Sequence, residues 1–417
     1  MSSSGASVQC CVAGGGPAGM MLGLLLARAG VSVAVLEKHA DFLRDFRGDT
    51  IHPSTLEIMH ELGRLEAFLA LPHQEVGELT AQIGEVTVPI ADFRHLPTRC
   101  RFLAFMPQWD FLDFLAREGA RYPGFRLMMQ AEATGLLEEA GRVVGVEATT
   151  SAGPIAIRSD LVVAADGRHS ALRAKAGLRV DDLGAPMDVL WFRLSASRQH
   201  PTRSMGRFDR GQIFVLIYRG DYWQCGYVIP KGTFERLRAA GLPAFRDRVA
   251  RLMPMLAEQV RELGRWEDLS LLTVRVDRLA TWYRPGLLCI GDAAHAMSPV
   301  GGVGINLAIQ DAVATANILA APLRTRSVTT EHLRRVQRRR LWPTRVTQRL
   351  QVAVQKRVIA AVLRTDRPLA PPLAARLLAR FPRLRRIPAR LVGLGVRPEH
   401  VSPEIRRGTP PHAPPAS

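Results

Sequence analysis

The stretch that decides the fold is VQCCVAGGGPAGMMLGLLLARAGVSVAVLEK, residues 8–38. Residues 8–13 form a short, mostly apolar run, which predicts a buried strand. Residues 14–19 then have the spacing GxGxxG. An apolar segment of helical length follows at 20–29, and a second apolar run at 31–36 predicts another strand. A glycine-rich turn between such a strand and such a helix is the fingerprint of a dinucleotide site.

Each position of this fingerprint has a physical task. Gly14 permits the tight turn, Gly16 lets the backbone approach a pyrophosphate, and Gly19 lets the helix pack closely on the strand. Glu37 ends the second strand, where an acid takes the ribose hydroxyls. The residues that we assign to the dinucleotide on this pattern are Gly14, Gly16, Pro17, Ala18, Gly19, Glu37 and Lys38.

A second small-residue loop, GDAAHAMSPVGGVGIN, occupies residues 291–306. It follows the apolar run 286–290, which predicts a buried parallel strand, and it leads into the helical pattern 307–318. Its glycines let backbone approach a flat ligand, and the helix start offers N–H groups to negative charge. Asp292 stands at the strand end, where its carboxylate can accept hydrogen bonds from sugar-like hydroxyls. A glycine-rich connection of any α/β enzyme would look similar.

A third motif, DGRHSALR, runs from Asp166 to Arg173 after the apolar strand 161–165, and Gly177 completes DGxxSxxRxxxG. The three motifs, in this order, resemble those of the flavin-dependent aromatic hydroxylases of the para-hydroxybenzoate hydroxylase type. The resemblance covers about residues 8–320. It implies an α/β fold with a Rossmann-type FAD-binding domain built on a parallel sheet. It also implies an inserted antiparallel-sheet substrate domain, and a helical carboxy-terminal segment follows.

The resemblance assigns further residues to the cofactor and to catalysis. Arg47, in the segment RGDTIHPSTL, would reach the FAD phosphates, because its planar fork suits phosphate. Pro299 would pack on the flavin face, and the helix end after Gly304 would stabilise negative charge at the flavin N1–C2 edge. His52 lies near the flavin edge in this scheme, and phenol activation could use water, His52 or no group at all. The full set for FAD from these later segments is Arg47, Gln108, Asp166, Asp292, Gly304, Ile305 and Asn306, and the set given a catalytic role is Pro299, His52 and Arg47.

Aromatic residues of the predicted strands are the candidates for substrate contact. They are Trp191, Tyr218, Trp223 and Tyr227. Plain core packing is an equal alternative for each of them. The only predicted hairpin turn among these strands is Arg219-Gly-Asp221, and a helix is expected from Leu242 to Leu263.

The predicted domains are assembled from separated segments. Residues 1–75, 106–178 and 276–330 form the FAD-binding domain, and 76–105 with 179–275 form the substrate-binding sheet domain. Residues 331–417 form a basic region of helices broken by prolines, Pro343 among them, with a disordered tail from Gly408.

Charge is concentrated at the carboxy-terminal end of the 417-residue chain. Residues 331–417 carry 20 Arg or Lys and four acids, so +16 of the net +18 lies there. No nucleic-acid-binding motif accompanies the charge, so a nucleic-acid partner is not expected. Basic amphipathic helices favour peripheral membrane contact or an acidic carrier protein, and a solvated arginine-rich face is the alternative. The residues before position 8 lack the basic start of a secretory signal, and the five cysteines show no CxxC, so a reducing cytoplasmic location is expected.

The function that the resemblance implies is monooxygenation. NAD(P)H, a transient co-substrate, would reduce FAD, and a flavin C4a-hydroperoxide would hydroxylate an aromatic or quinone-like small molecule. The main alternative is an FAD-dependent reductase or dehydrogenase of an isoprenoid or quinone-type substrate on the same scaffold. A halogenase would need a WxWxIP segment and a cavity lysine, which the sequence lacks, and a non-enzymatic FAD-binding scaffold stays open. Neither a metal site nor a nucleophilic triad is expected.

Overall fold

A computed structural model describes residues 7–43, 50–196 and 204–409. The strands in these ranges are β1 Ser7–Ala13, β2 Val33–Leu36, β3 Thr50–Ile51, β4 Gln74–Val76, β5 Glu78–Ile83, β6 Val86–Asp92, β7 Leu103–Phe105, β8 Phe125–Met128, β9 Ala131–Glu139, β10 Arg142–Thr150, β11 Gly153–Ala164, β12 Val180–Asp182, β13 Met187–Ser195, β14 Met205–Asp209, β15 Gln212–Tyr218, β16 Tyr222–Pro230, β17 Ser270–Leu272, β18 Asp277–Leu279, β19 Tyr283–Arg284 and β20 Leu287–Cys289. The helices are α1 Pro17–Arg28, α2 Pro53–Glu61, α3 Leu65–Leu69, α4 Gln108–Gly119, α5 Ala171–Lys175, α6 Phe234–Ala239, α7 Leu242–Leu252, α8 Val303–Arg324, α9 Thr330–Val354, α10 Ala360–Leu363, α11 Leu373–Arg380, α12 Arg386–Gly393 and α13 Pro403–Arg407, and a π-helical turn, Gln355–Ile359, joins α9 to α10.

The first sheet is the parallel core predicted from the three motifs. Its strands run in the order β19-β20-β11-β1-β2-β8, and the pairs β20–β11, β11–β1, β1–β2 and β2–β8 are parallel. The central strands are buried, and they share one hydrophobic core with α1 and α8. In such a sheet, ligands bind beyond the carboxyl ends of the strands. The three motifs all follow those ends, after β1, β11 and β20.

The second sheet has seven strands and is almost wholly antiparallel. Its order is β17-β13-β16-β15-β14-β5-β6, with one parallel pair, β14–β5. All seven strands come from 76–105 and 179–275, the two segments predicted to form the substrate domain. One face packs on α7 around Phe192, Phe214 and Phe245. The opposite face carries Trp191 and Ile217.

The carboxy-terminal segment returns across both sheets and contributes to three cores. Ile359 packs with the second sheet around Val189, Ala389 packs beside Phe93, and Val401 joins the core of the first sheet. The basic helices therefore each have one buried face, which the high net charge of the segment did not predict. The predicted tail beyond residue 409 lies outside the described residues.

Two boundary predictions were wrong. The helix expected from Leu242 to Leu263 ends at Leu252, because Pro254 follows, and two 3-10 turns replace its second half. The break expected at Pro343 is absent, since α9 continues through it. A proline removes only one helical hydrogen bond, and the packing of α9 on α8 offsets that loss.

Candidate functional site

The glycine turn after β1 has one open position between two crowded ones. Gly14 has φ of +109°, and a Cβ there would lie 2.3 Å from the carbonyl oxygen of Ala165. A Cβ at Gly19 would lie 1.9 Å from the Gly14 carbonyl oxygen. At Gly16, the residue that precedes α1, no atom lies within 4 Å of that position. The turn thus leaves room for a ligand where helix N–H groups point outward, which is the space that a pyrophosphate needs.

Glu37 is engaged by the same turn. Its Oε2 accepts a hydrogen bond from the Gly15 N–H at 3.1 Å, and its Oε1 accepts one from the His39 N–H at 3.1 Å. The His39 ring nitrogen Nδ1 also lies 2.5 Å from Oε1. The carboxylate therefore fixes the turn, while the neighbouring Lys38 side chain is 57% exposed and 4.0 Å from Glu132.

The second motif lies directly beside the first. Asp166 follows β11, and its Oδ2 accepts a hydrogen bond from the Leu172 N–H at the start of α5. Its Oδ1 is buried with no hydrogen-bond partner among the described residues. Burial raises the pKa of Asp166 above its usual value, against the lowering effect of the hydrogen bonds that it accepts. An unpaired buried oxygen next to the open glycine turn leaves an acceptor for a ligand.

Two arginines of the second motif connect it to the loop after β20. Arg173 donates to the Ala293 carbonyl oxygen at 3.2 Å, and Arg168 Nη2 lies 3.4 Å from Asp292 Oδ2. Gly291, with φ of +58°, touches the first motif, because a Cβ there would lie 3.1 Å from the Ala18 Cβ. All three motifs therefore meet at one edge of the parallel sheet, although 278 positions separate Gly14 from Asp292.

A buried ionic network supports the loop from below. Asp311 of α8 accepts a hydrogen bond from the Gly291 N–H at 3.0 Å and lies 2.6 Å from His295 Nε2. Its other oxygen accepts from Arg340 Nε at 2.9 Å, and Arg340 also pairs with Glu399 at 3.2 Å. Burial alone would raise the pKa of Asp311, but the His295 ring and the Arg340 guanidinium together hold it below its usual value. The carboxylate is thus ionised, and it joins the loop after β20 to α9.

Three buried glutamines hold the same loop, two from α9 and one from the π-helical turn after it, and we call them the glutamine clamp: Gln348, Gln351 and Gln355. Gln351 Nε2 donates to the carbonyl oxygens of Ser298 and Val300, both at 2.9 Å, and its Oε1 accepts from the Ser298 N–H at 3.2 Å. Gln348 donates to the Ala296 carbonyl oxygen at 3.2 Å, and Gln355 donates to the Ser298 hydroxyl at 2.6 Å. Sequence analysis missed the clamp. Its only signal was uncharged polar residues at core positions of an arginine-rich helix.

The far end of the loop is fixed by α2 and α12. The two ring nitrogens of His52 lie 2.6 Å from the Val392 carbonyl oxygen and 3.0 Å from the Gly302 carbonyl oxygen. The ring is fully buried, and burial lowers the pKa of His52. Asn306 Oδ1 accepts from the hydroxyl of Ser54 at 2.6 Å. Both side chains therefore serve the loop as supports, and this placement does not favour His52 as a base that contacts substrate.

The other residues assigned to the cofactor lie at the surface of this loop or beside it. Pro299 is half-buried, Ile305 is 8% exposed, and Gly304 has open space around its Cα apart from Met297. Gln108 begins α4 and is buried. Arg47 lies outside the described residues.

The structure separates the four aromatic candidates for substrate contact. Trp223 and Tyr227 are 1% and 4% exposed in the core under α7, and Tyr218 packs on Trp223 with ring centroids 5.1 Å apart. We assign these three to packing. Trp191 lies on the opposite face of the sheet, where its ring covers Gly226.

Across the described residues, no group of three or more His, Cys, Asp or Glu side chains could hold a metal ion. Among the residues that the structure describes, one helical segment, Val300–Arg324, is long and apolar enough to cross a membrane. Because 83% of its apolar window is buried inside the protein, it is a helix of the core.

These features define the class of the protein: an α/β protein with one dinucleotide site at the edge of its parallel sheet. The chain belongs to the FAD-binding domain family, whose model matches residues 7–350. It is 35% identical to 6-methylpretetramide 4-monooxygenase from Streptomyces rimosus over 392 residues, which are 93% of this chain and 92% of that relative.

Two solved structures share the fold. The p-nitrophenol 4-monooxygenase PnpA from Pseudomonas putida DLL-E4 superposes with a TM-score of 0.76 at 20% identity and covers 94% of this chain and 100% of its own. The flavin-dependent brominase Bmp2 superposes with a TM-score of 0.75 at 17% identity and covers 93% of each chain. The fold alone therefore does not choose between oxygenation and halogenation. The sequence relationship does, and the chain is an FAD-dependent monooxygenase that uses NAD(P)H.

Proposed function

We propose that the protein hydroxylates a polycyclic phenolic compound at the junction of its two sheets. The observation that carries this proposal is the meeting of the three motifs around the open position at Gly16. The relative reported above is named as a monooxygenase of 6-methylpretetramide, and we propose a substrate of that chemical class. In the balanced reaction, one oxygen atom of O2 enters the ring and the other leaves as water, while NAD(P)H gives two electrons.

The residues present fit FAD, and we propose a role for each. The open turn at Gly16 and the N-terminus of α1 would hold the pyrophosphate, and Asp292 would accept hydrogen bonds from ribose or ribityl hydroxyls. Asp166 Oδ1 offers a further acceptor nearby. The N-terminus of α8, from Gly304 to Asn306, would face the flavin ring. The chemistry that bound FAD supplies is acceptance of hydride from NAD(P)H and activation of dioxygen.

The protein's own contribution is to position the ring and to exclude water. The loop carrying Pro299 must keep one shape for this, and the glutamine clamp gives its backbone fixed partners on the side facing α9. The face of the second sheet that carries Trp191 is apolar and is the surface that we propose for the aromatic substrate. We also propose the domain division given above, with the substrate bound between the FAD-binding domain and the substrate-binding sheet domain.

The test is reconstitution followed by turnover. Purified protein should bind FAD stoichiometrically, and with NADH or NADPH it should consume oxygen when polycyclic phenols are supplied, with hydroxylated product in step with oxygen uptake. The matched control adds each phenol without the nicotinamide. Reduction of a quinone or isoprenoid substrate without oxygen uptake would instead establish the reductase alternative.

We further propose that the carboxy-terminal helices contact an anionic lipid surface. One face of α11 and α12 packs on β6 through Ala375 and Ala389. The outer face exposes Leu373 (73%), Ile387 (60%) and Phe381 (50%) among arginines. Apolar side chains entering the headgroup region beside arginines suit anionic lipid. The body would then be cytoplasmic and membrane-peripheral, in agreement with five cysteines that are all free.

Cosedimentation with vesicles tests this contact. The wild-type protein should pellet with vesicles containing anionic lipid and stay in solution with neutral vesicles. The substitutions Leu373→Ser and Ile387→Ser should abolish pelleting, whereas the control Val86→Ser, at another exposed apolar position, should not. Binding to an acidic carrier protein without any binding to vesicles would reject the lipid in favour of the carrier.

A further inference from the structure

A cleft lies beside α9, and Gln348 of the glutamine clamp is one of its lining residues. It has a volume of about 550 Å³ and is open to solvent. Its walls are α9, the π-helical turn and the two-stranded sheet β12–β18. Five of its lining residues are cations and none is an acid; the cations are Arg278, Arg345, Arg349, Lys356 and Arg357.

The charges in this cleft are not balanced by the protein. The side chains of Arg345, Arg349, Lys356 and Arg357 form no ion pair with any residue in the described ranges. Arg278 of β18 is half-buried, and burial together with the charges of Arg345 and Arg349 lowers its pKa. Asp181 is close enough to act on Arg278 in the opposite direction, but it is also bonded to Arg179 at 3.5 Å.

Arg345, Arg349, Lys356 and Arg357 are exposed, so an anion that enters the cleft can reach them, and Arg278 is half-buried among them. Other arginines on this chain are neutralised by carboxylates, as Arg339 is by Glu399 and Arg284 by Glu138. Arg345, Arg349 and Lys356 follow one another at helical spacing along α9 and the π-helical turn after it, so their side chains lie on one side and line the same cleft. Arginine forks match phosphate oxygens in pairs, and a volume of about 550 Å³ exceeds what a single inorganic ion fills.

We propose that this cleft is a binding site for a phosphate- or pyrophosphate-bearing organic molecule, distinct from the FAD site. Its residues belong to none of the three motifs. The shared chemistry fits two sources: the phosphates of the nicotinamide donor, including a 2′-phosphate, or those of another phosphorylated compound.

The cleft is connected to the flavin loop by one side chain. Gln348 Oε1 accepts a hydrogen bond from Arg278 Nη1 at 2.7 Å in the cleft. The Nε2 of the same side chain donates to the carbonyl oxygens of Asp277, at 2.7 Å, and Ala296, at 3.2 Å. An anion that draws Arg278 toward itself would therefore act on the loop that carries Pro299. Occupancy of the cleft is thereby linked to the geometry of the reaction site.

The experiment is a calorimetric titration of the FAD-loaded protein with inorganic pyrophosphate, so that the dinucleotide site is already filled. Arg345→Gln with Arg349→Gln should weaken binding by about tenfold or more, since two charged partners are removed. The matched control is Arg236→Gln with Arg238→Gln on α6, which makes the same charge change on an exposed helix. Flavin absorbance of each variant verifies that FAD is retained.

The outcomes separate the sources and can reject the site. If the α9 double variant also raises the KM for NADPH but not for NADH, the ligand is the 2′-phosphate of the donor. If pyrophosphate binding is lost while both KM values stay unchanged, the cleft serves another phosphorylated compound. Absence of pyrophosphate binding to wild-type protein at concentrations on the order of 10 mM, or equal weakening in the α6 control, would show a solvated arginine face and overturn the proposal. The calorimetric titration measures binding directly, so its result stands even if the proposed substrate is wrong.

Discussion

Replacement of Gln351 by alanine tests whether the glutamine clamp controls the reaction. The substitution removes two donated hydrogen bonds of 2.9 Å and one accepted bond of 3.2 Å. A neutral hydrogen bond contributes about 0.5–1.5 kcal/mol net to the free energy of unfolding. The loss of three bonds should therefore lower that free energy by about 1.5–4.5 kcal/mol. Val300 is half-buried and water can reach its freed carbonyl, so we expect about 2 kcal/mol of lost stability. The N–H and C=O groups of Ser298 would stay buried without their Gln351 partner, so we expect the loop to leave its present path to give them new hydrogen bonds.

The assay measures NAD(P)H consumption, oxygen uptake and hydrogen peroxide release together, with the preferred phenol present. A loosened loop admits water, so we expect oxygen uptake to continue while a larger share of the oxygen appears as peroxide. The matched control is Gln337→Ala on the same helix, where the side chain bonds the Trp282 N–H at 3.1 Å and the Ala280 carbonyl oxygen at 3.0 Å. It should lower the melting temperature without changing the peroxide share. Equal peroxide release in the two variants would refute the idea that the clamp guards the site.

Three further perturbations probe the site. Asp292→Ala should lower FAD occupancy, measured as the ratio of flavin to protein absorbance. The control Asp182→Ala removes an exposed carboxylate and should leave the occupancy unchanged. Equal occupancy in the two variants would show that Asp292 does not contact the ribityl chain. Asp311→Asn leaves the buried Arg340 guanidinium with one carboxylate partner fewer. It should lower the free energy of unfolding, measured with denaturant, by about 3–5 kcal/mol. A decrease below about 1 kcal/mol would disprove a tightly coupled network. The pKa of His52 is lowered in the folded protein, so the unfolded chain binds the proton more strongly; the stability that His52 contributes is complete above the unfolded pKa of about 6.5 and falls as pH drops below it. His52→Gln should remove that part of the pH dependence, as unfolding measured from pH 7 to pH 5 would reveal.

Local patterns predicted the parts of the site that are local in sequence. The turn at Gly14 and Gly16 is specified by its flanking strand and helix, so one stretch of about 30 residues was sufficient. The order of the three motifs then predicted which strand ends would be neighbours. Sequence spacing could not show that the Glu37 carboxylate accepts hydrogen bonds from the backbone N–H groups of Gly15 and His39. Those bonds depend on the path that the backbone takes through the turn.

Contacts between distant segments escaped prediction. Gln351 and Ser298 are 53 positions apart, and nothing local marks a helix glutamine as a partner of that loop. The strand alternation correctly marked Trp191 and Trp223 as sheet residues. It could not say which face of the sheet α7 would cover, and that decides that Trp223 is packed.

The carboxy-terminal segment supports the catalytic loop in addition to carrying most of the net charge. Arg340 and Gln351 of α9 support the loop after β20, and α12 offers the Val392 carbonyl oxygen to His52. Deletion of residues 331–417 would therefore remove supports of the catalytic loop along with the exposed arginines. Loss of activity in such a deletion would say nothing about lipid or carrier contact. Only substitutions confined to the outer face, such as Leu373→Ser, leave the inner supports intact, because the residues that pack inward from α11 and α12 are different ones. The proposed lipid surface at Ile387 and the Val392 contact with His52 thus lie on the same helix, so we expect binding at that surface to affect the catalytic loop.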